Sequence, residues 1–136
     1  MTRQDREIAI ADNVAYLDRA VGIAGGNEAR VVVFLGFSQG AAMAYRAALC
    51  GRYPAAGVIA LGGDIPPDVQ TRAARRWPPV LIGAGTGDTW YTADKVAADQ
   101  QFLASRQIAH EIVRFDGGHE WTDEFRRAAG RWLQAF

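Results

Sequence analysis

Four short apolar runs, each followed by a turn signal, constrain how this 136-residue chain can fold. They are Val31–Leu35, Gly57–Leu61, Val80–Ile82 and Ile108–Phe115. None is long enough for a core helix, and the first three contain no polar residue. Runs of this kind, rich in β-branched residues and bounded by turn residues, predict parallel strands covered on both faces. The fourth alternates well enough to complete the set.

Helical periodicity fills the intervals. Thr2 and Asp5 have capping-box spacing, with Asp in place of the usual Glu or Gln. Behind them Ile10, Val14, Leu17 and Val21 form one apolar stripe, stopped at Gly25-Gly26. Gln39 to Cys50 is Ala-rich and helix-forming, with Gly51 as its stop. Pro66, Pro67, Pro78 and Pro79 bracket an Arg-rich excursion with room for one short surface helix. Thr92 to Arg106 predicts a helix with Val96, Phe102 and Leu103 facing inward. Trp121, Phe125, Ala128 and Trp132 give a last helix its stripe. That helix has Glu120, Asp123 and Glu124 in its first turn and Arg126, Arg127 and Arg131 later, which matches the helix dipole. Strands alternating with helices predict an α/β fold: a three-layer sandwich around a short, mainly parallel sheet of about four strands with right-handed crossovers.

Composition narrows the function. The length suits one domain, residues 1–136. Fifteen basic side chains balance fifteen acidic ones, so neither nucleic acid nor an anionic membrane is an expected partner. Cys50 is the only cysteine, which excludes an internal disulfide and a thiolate zinc site. The charged N-terminus does not resemble a signal peptide, and no apolar run reaches membrane-spanning length. The expectation is a soluble, cytoplasmic domain.

In an open parallel sheet, ligands bind beyond the carboxyl ends of the strands. Gly36-Phe37-Ser38-Gln39-Gly40, Gly62-Gly63-Asp64, Gly85-Thr86-Gly87-Asp88 and Asp116-Gly117-Gly118-His119 follow the four runs in turn. A Ser, acids and a His thus meet at one edge. Gly36-x-Ser38-x-Gly40, with a strand before it and a helix after, is a nucleophile-elbow pattern. The tight turn predicts that a side chain at either flanking position would collide with backbone. It lifts the Ser38 hydroxyl above the sheet at a helix N-terminus, where the Gln39 N–H is one candidate oxyanion donor. His119 is the candidate base and Asp88 the candidate acid that orients it. Asp64 is the alternative acid. His110 falls at the wrong edge, and Asp116 reads as a turn residue bonding its own backbone. Trp90, Tyr91 and Trp121 flank the acid and base and are candidates for lining a pocket; as ordinary core they need no ligand.

Gly36-Phe37-Ser38-Gln39-Gly40-Ala41-Ala42, the Gly87-Asp88 loop and Gly117-Gly118-His119 together resemble the phospholipase/carboxylesterase family of α/β-hydrolases, which includes the acyl-protein thioesterases. The resemblance runs from the first helix to the end of the chain. It implies an α/β-hydrolase fold and hydrolysis of carboxylic or thioesters by an activated serine, with no metal or organic cofactor. The family's nucleophile, acid and base correspond to Ser38, Asp88 and His119. Gly62-Gly63-Asp64 resembles the loop that lines the family's substrate cleft, which places Gly63 and Asp64 among the candidate substrate contacts, alongside Phe37 of the elbow. The substrate expected is a small or short-acyl ester, because no segment between Gly63 and Pro78 is long enough for a cap domain.

Members of that family carry several strands before the elbow, with a His-Gly-rich loop that donates the second oxyanion N–H. Here the elbow strand is preceded by one helix. The fold expected is therefore a truncated α/β-hydrolase, with residues 31–35 as an open edge apolar on both faces. A second copy of the chain is expected to cover that edge, as a dimer, and to complete or wall the site. A fragment of a longer chain is the second expectation, against which Met1 counts mildly.

Overall fold

The computed structural model describes residues 2–28, 31–72 and 75–136. Its elements run α1 (Arg3–Ile23), β1 (Val33–Phe37), α2 (Gln39–Cys50), β2 (Gly57–Leu61), α3 (Pro67–Arg72), β3 (Val80–Gly85), α4 (Ala93–Ser105), β4 (His110–Phe115) and α5 (Asp123–Leu133). The capping box forms: Asp5 N–H donates to Thr2 Oγ1 at 3.0 Å, and Thr2 N–H donates to Asp5 Oδ2 at 3.1 Å. The predicted stripe of α1 is the face it turns inward, half-buried at Ile10, Val14, Leu17 and Val21. Ala73 and Ala74, within the proline-bracketed excursion, lie outside the described residues, as does Met1.

The sheet is parallel throughout, in the order β1-β2-β3-β4. One core lies on the α2–α3–α4 side, built around Tyr45, Val58, Ile82, Tyr91 and Leu103. The other lies beneath α5 and comprises Ile59, Leu61, Leu81, Phe115, Phe125 and Ala129. The helices of the first layer are also tied to each other. The buried Arg46 guanidinium on α2 grips Asp68 on α3 through Nε (3.0 Å) and Nη2 (2.8 Å), and this hydrogen bonding holds the Asp68 carboxyl below its ordinary range.

Several boundaries differ from those read in the sequence. The first strand spans 33–37 rather than 31–35, because its register is set by β2, whose first paired residue Gly57 meets Val33. It is also not covered on both faces. Leu35 is 47 % exposed, since α5 packs over β3 and β4 and does not reach it. The third strand continues past Ile82 to Gly85, paired with β4 as far as Phe115. Gly83 and Gly85 can stay in it because Phe125 and the Gly117-Gly118 carbonyls occupy the space where their side chains would stand. His110, not Ile108, opens β4. Glu120 and Trp121 precede α5, whose cap is Thr122, accepting from Phe125 N–H at 3.2 Å. Trp121 still packs on Phe125, with ring centroids 5.7 Å apart. No helix among the described residues is long and apolar enough to cross a membrane.

Candidate active site

Ser38 sits between the last residue of β1 and the first of α2, with φ 58° and ψ −120°. A non-glycine residue there carries strain of ~1–3 kcal/mol and persists only where its surroundings over-determine it. They do so through three contacts. Ser38 N–H donates to the Leu61 carbonyl at 2.8 Å, its own carbonyl accepts from Ala41 N–H at 3.0 Å, and Gly63 packs so closely that a Cβ there would strike the Ser38 carbonyl. Gly36 is required as expected, since its Cβ would run into the Gly40 carbonyl. Gly40 is not, because a Cβ there would meet nothing within 4 Å. The tightness is one-sided: the turn folds Gly40's backbone over Gly36 and leaves Gly40's own outer side open.

The loops after β3 and β4 bring the remaining groups to this turn. Gly87 N–H donates to the Gly117 carbonyl at 2.8 Å, so the acid loop and the histidine loop rest on one another. His119 Nε2 lies 2.8 Å from Ser38 Oγ, and its Nδ1 lies 2.8 Å from Asp88 Oδ2. Asp88 Oδ1 accepts from the backbone N–H groups of Trp90 (2.7 Å) and Tyr91 (3.0 Å). The Asp88 side chain is 1 % exposed and that of His119 25 %. Burial pushes the Asp88 carboxyl up, but the hydrogen bonds from His119, Trp90 and Tyr91 outweigh it and hold the group below the ordinary carboxylate range. An ionised carboxylate only accepts, so the imidazole proton belongs on Nδ1 and the Nε2 lone pair faces the serine hydroxyl. The arrangement can therefore take a proton from Ser38 and hold the resulting imidazolium against a negative charge. It is Asp88, not Asp64, whose carboxylate meets His119. His110 lies at the opposite edge, bonded to the Ile108 carbonyl at 2.8 Å. Asp116 is exposed; Glu120, not Asp116, holds the turn by accepting from Gly118 N–H at 3.0 Å.

A cleft of about 670 Å³ opens over Ser38 and His119. Gln39, Gly63, Asp64, Trp90 and Tyr91 line it, although Tyr91 is almost wholly buried and offers little surface to a ligand. Trp90 stands at the rim, 71 % exposed. Phe37 and Trp121 do not line the cleft. Phe37 packs behind His119 at 5.0 Å and Trp121 packs on Phe37 at 6.2 Å, because β1 turns Phe37 toward the α5 side of the sheet, where Trp121 lies just ahead of the helix. The far wall comes from residues not anticipated: Arg6, Ile10 and Asn13 of α1, and Met43 of α2. Their signal was available, since positions 6, 10 and 13 share a helix face with the apolar stripe. Among the described residues no group of three or more His, Cys, Asp or Glu side chains could hold a metal ion.

The family model for phospholipase/carboxylesterase matches residues 3–135. The chain belongs to that family. Solved structures of other proteins share its fold. SOBER1 of Arabidopsis thaliana aligns over 93 % of this chain and 63 % of its own, with 19 % identity and a TM-score of 0.79. Esterase PE8 is 27 % identical over 76 % of this chain and 49 % of its own, with a TM-score of 0.67. Acyl-protein thioesterase 2 of Zea mays is 19 % identical over 93 % of this chain and 65 % of its own, with a TM-score of 0.69. The chain thus spans less than two thirds of the length of these structures. No curated protein matches it.

Proposed function

We propose that this member of the phospholipase/carboxylesterase family is a serine carboxylesterase acting on small or short-acyl carboxylic esters. The observation that carries the reading is the continuous Ser38–His119–Asp88 hydrogen-bond chain, 2.8 Å at each link, set at a helix N-terminus and open to a cleft. Ser38 Oγ attacks the ester carbonyl while His119 Nε2 takes its proton. The tetrahedral oxyanion is met by the Gln39 N–H, a first-turn donor with no intrahelical partner. His119 returns the proton to the leaving alcohol, leaving an acyl-Ser38 ester. Water, deprotonated by His119, then releases the acid and restores the serine. Asp88 keeps the proton on Nδ1 and offsets the imidazolium charge in both halves. Membership of the family and the likeness to esterase PE8 support hydrolysis of an ester. The open cleft over Ser38, crossed by no helix or strand among the described residues, supports a short acyl group.

Ser38→Ala is expected to lower turnover of p-nitrophenyl butyrate by roughly 10³-fold or more while leaving the circular dichroism spectrum unchanged. Wild-type activity in that variant rejects the assignment. One feature favours a second reading, a hydrolase-like binding domain without turnover. The elbow supplies a single oxyanion donor, and losing one of two typically costs ~10²–10³ in rate. A fluorophosphonate probe separates the two readings, because only an activated Ser38 is labelled. We also propose that a second copy of the chain lies against β1, whose Leu35 is exposed on a strand that pairs, among the described residues, only with β2.

A further inference from the structure

Beneath the acid loop lies a polar pair that the proposed chemistry does not use. The Tyr91 hydroxyl donates to Asp99 Oδ2 at 2.7 Å, and Ile65 N–H donates to the same carboxylate at 3.2 Å to Oδ2 and 3.4 Å to Oδ1. Both side chains are buried in the core on the α2–α4 side; Asp99 is only 4 % exposed. The titratable groups around Asp99 are Tyr91 from the acid loop, Asp64 from the loop after β2 and Tyr45 from α2. No cation among them balances the charge. The Tyr45 hydroxyl is itself buried without a partner among the described residues. Burying a carboxylate without a counter-ion is costly, and an apolar pair of equal volume would pack at least as well. The bond therefore calls for a reason other than stability.

Its place in the fold supplies one. Tyr91 stands three residues beyond Asp88 and offers its backbone N–H to Asp88 Oδ1 at 3.0 Å, while its hydroxyl reaches α4 at the other end. Through Asp99 the same residue is joined to Ile65 and so to the loop that carries Gly63 against the Ser38 carbonyl. We propose that Tyr91 and Asp99 are positioning residues, a buried strut that ties the acid loop to α4 and to the loop after β2 and thereby holds the Asp88 carboxylate on His119. Lys95 braces the same loop from outside, its Nζ donating to the Trp90 carbonyl at 2.9 Å. The inference rests on the reading of Asp88 as the group that orients His119.

Tyr91→Phe, which keeps the ring and removes the strut, is the test. Two readouts are taken: steady-state kinetics on p-nitrophenyl butyrate, and the downfield proton NMR signal of His119 Nδ1–H at low temperature, assigned by its loss in His119→Gln. The expected result is a fall in kcat of roughly 10-fold, below the ~10² that an ångström of misplacement can cost, with KM within about twofold. The Nδ1–H signal weakens or broadens at the same time. Asp99→Asn, which keeps an oxygen acceptor for Tyr91, recovers most of both readouts relative to Asp99→Leu. A Tyr91→Phe protein with wild-type kcat and Nδ1–H signal overturns the strut, even if it melts earlier. So does a loss of kcat with the signal unchanged, since the effect would then arise elsewhere. The NMR signal needs no turnover, so it judges the strut even if Ser38→Ala were to show that the protein is not an esterase.

Discussion

The middle of the sheet and its β1 margin are built to different standards. Every residue of β2 and β3 is buried, with helices on both sides. In β1 only Gly36 is buried, and Leu35 faces solvent. Yet the candidate nucleophile is mounted on β1. What holds Ser38 in its strained conformation is not depth of burial but the local fit of three backbone segments, at Ala41, Leu61 and Gly63. A site can be rigid at the margin of a fold when backbone contacts, rather than a surrounding core, determine it.

The contrast can be broken first by paired truncations. Leu81→Ala, in the middle of the sheet, is expected to cost ~2–5 kcal/mol of stability, because it leaves a cavity beneath α5. Leu35→Ala, at the margin, should cost no more than about 0.5 kcal/mol. Urea denaturation of the two variants measures the difference, and equal losses would mean that β1 is covered after all.

The centre also holds the uncompensated carboxylate. Burial raises the Asp99 pKa from 3.8 to about 6, with Asp64 adding to the rise and the Tyr91 and Ile65 hydrogen bonds opposing it. Between those two values the folded chain keeps a proton that the unfolded chain has released, so stability falls as pH rises through that window. A shift of this size corresponds to roughly 2–3 kcal/mol between pH 4 and 7. Asp68 and Asp88, both held low, act with the opposite sign and below that window. Asp99→Asn should therefore flatten the wild-type decline in thermal stability between pH 4 and 7. A slope unchanged in the variant would show that Asp99 is not its source.

A third comparison lies within the elbow itself. Gly36→Ala forces a Cβ into the Gly40 carbonyl and is expected to destabilise by ~1–3 kcal/mol and to displace Ser38. Gly40→Ala meets open space in the first turn of α2 and should stabilise by up to ~1 kcal/mol. Thermal melts of both variants decide whether the turn is as one-sided as its geometry indicates.

Much of this was legible in the sequence because it is local. Short apolar runs, stop residues and the Gly-x-Ser-x-Gly turn each act over a few neighbours, and chain order alone places Ser38, Asp88 and His119 at one sheet edge. What was not legible depends on partners distant in sequence. The start of β1 moved from Val31 to Val33 because Gly57 sets the register. Phe37 and Trp121 left the cleft because the pleat and α5 turn them to the other side of His119. Arg6 and Asn13 share the face of the apolar stripe, but that this face forms a wall of the cleft follows only from the docking of α1 on α2. The Tyr91–Asp99 bond joins two residues that each look ordinary, one a loop aromatic and the other a helix acid.

The smallest expected change in stability accompanies the most visible change in solution behaviour. Among the described residues β1 pairs only with β2, which leaves a strand edge beside an apolar side chain, and α1 adds exposed Ile8, Tyr16 and Ile23. Edges of this kind recruit a further strand unless charge blocks them. Leu35→Lys places a charge at that edge without entering a core, so its folding free energy should stay within about 0.5 kcal/mol of wild type. If a second copy covers β1, wild type sediments as a dimer at micromolar concentration and Leu35→Lys as a monomer. A wild-type monomer under the same conditions removes the second copy from the proposal. The difference between centre and margin would then be a feature of the single chain, with Ser38 working at an edge that stays open.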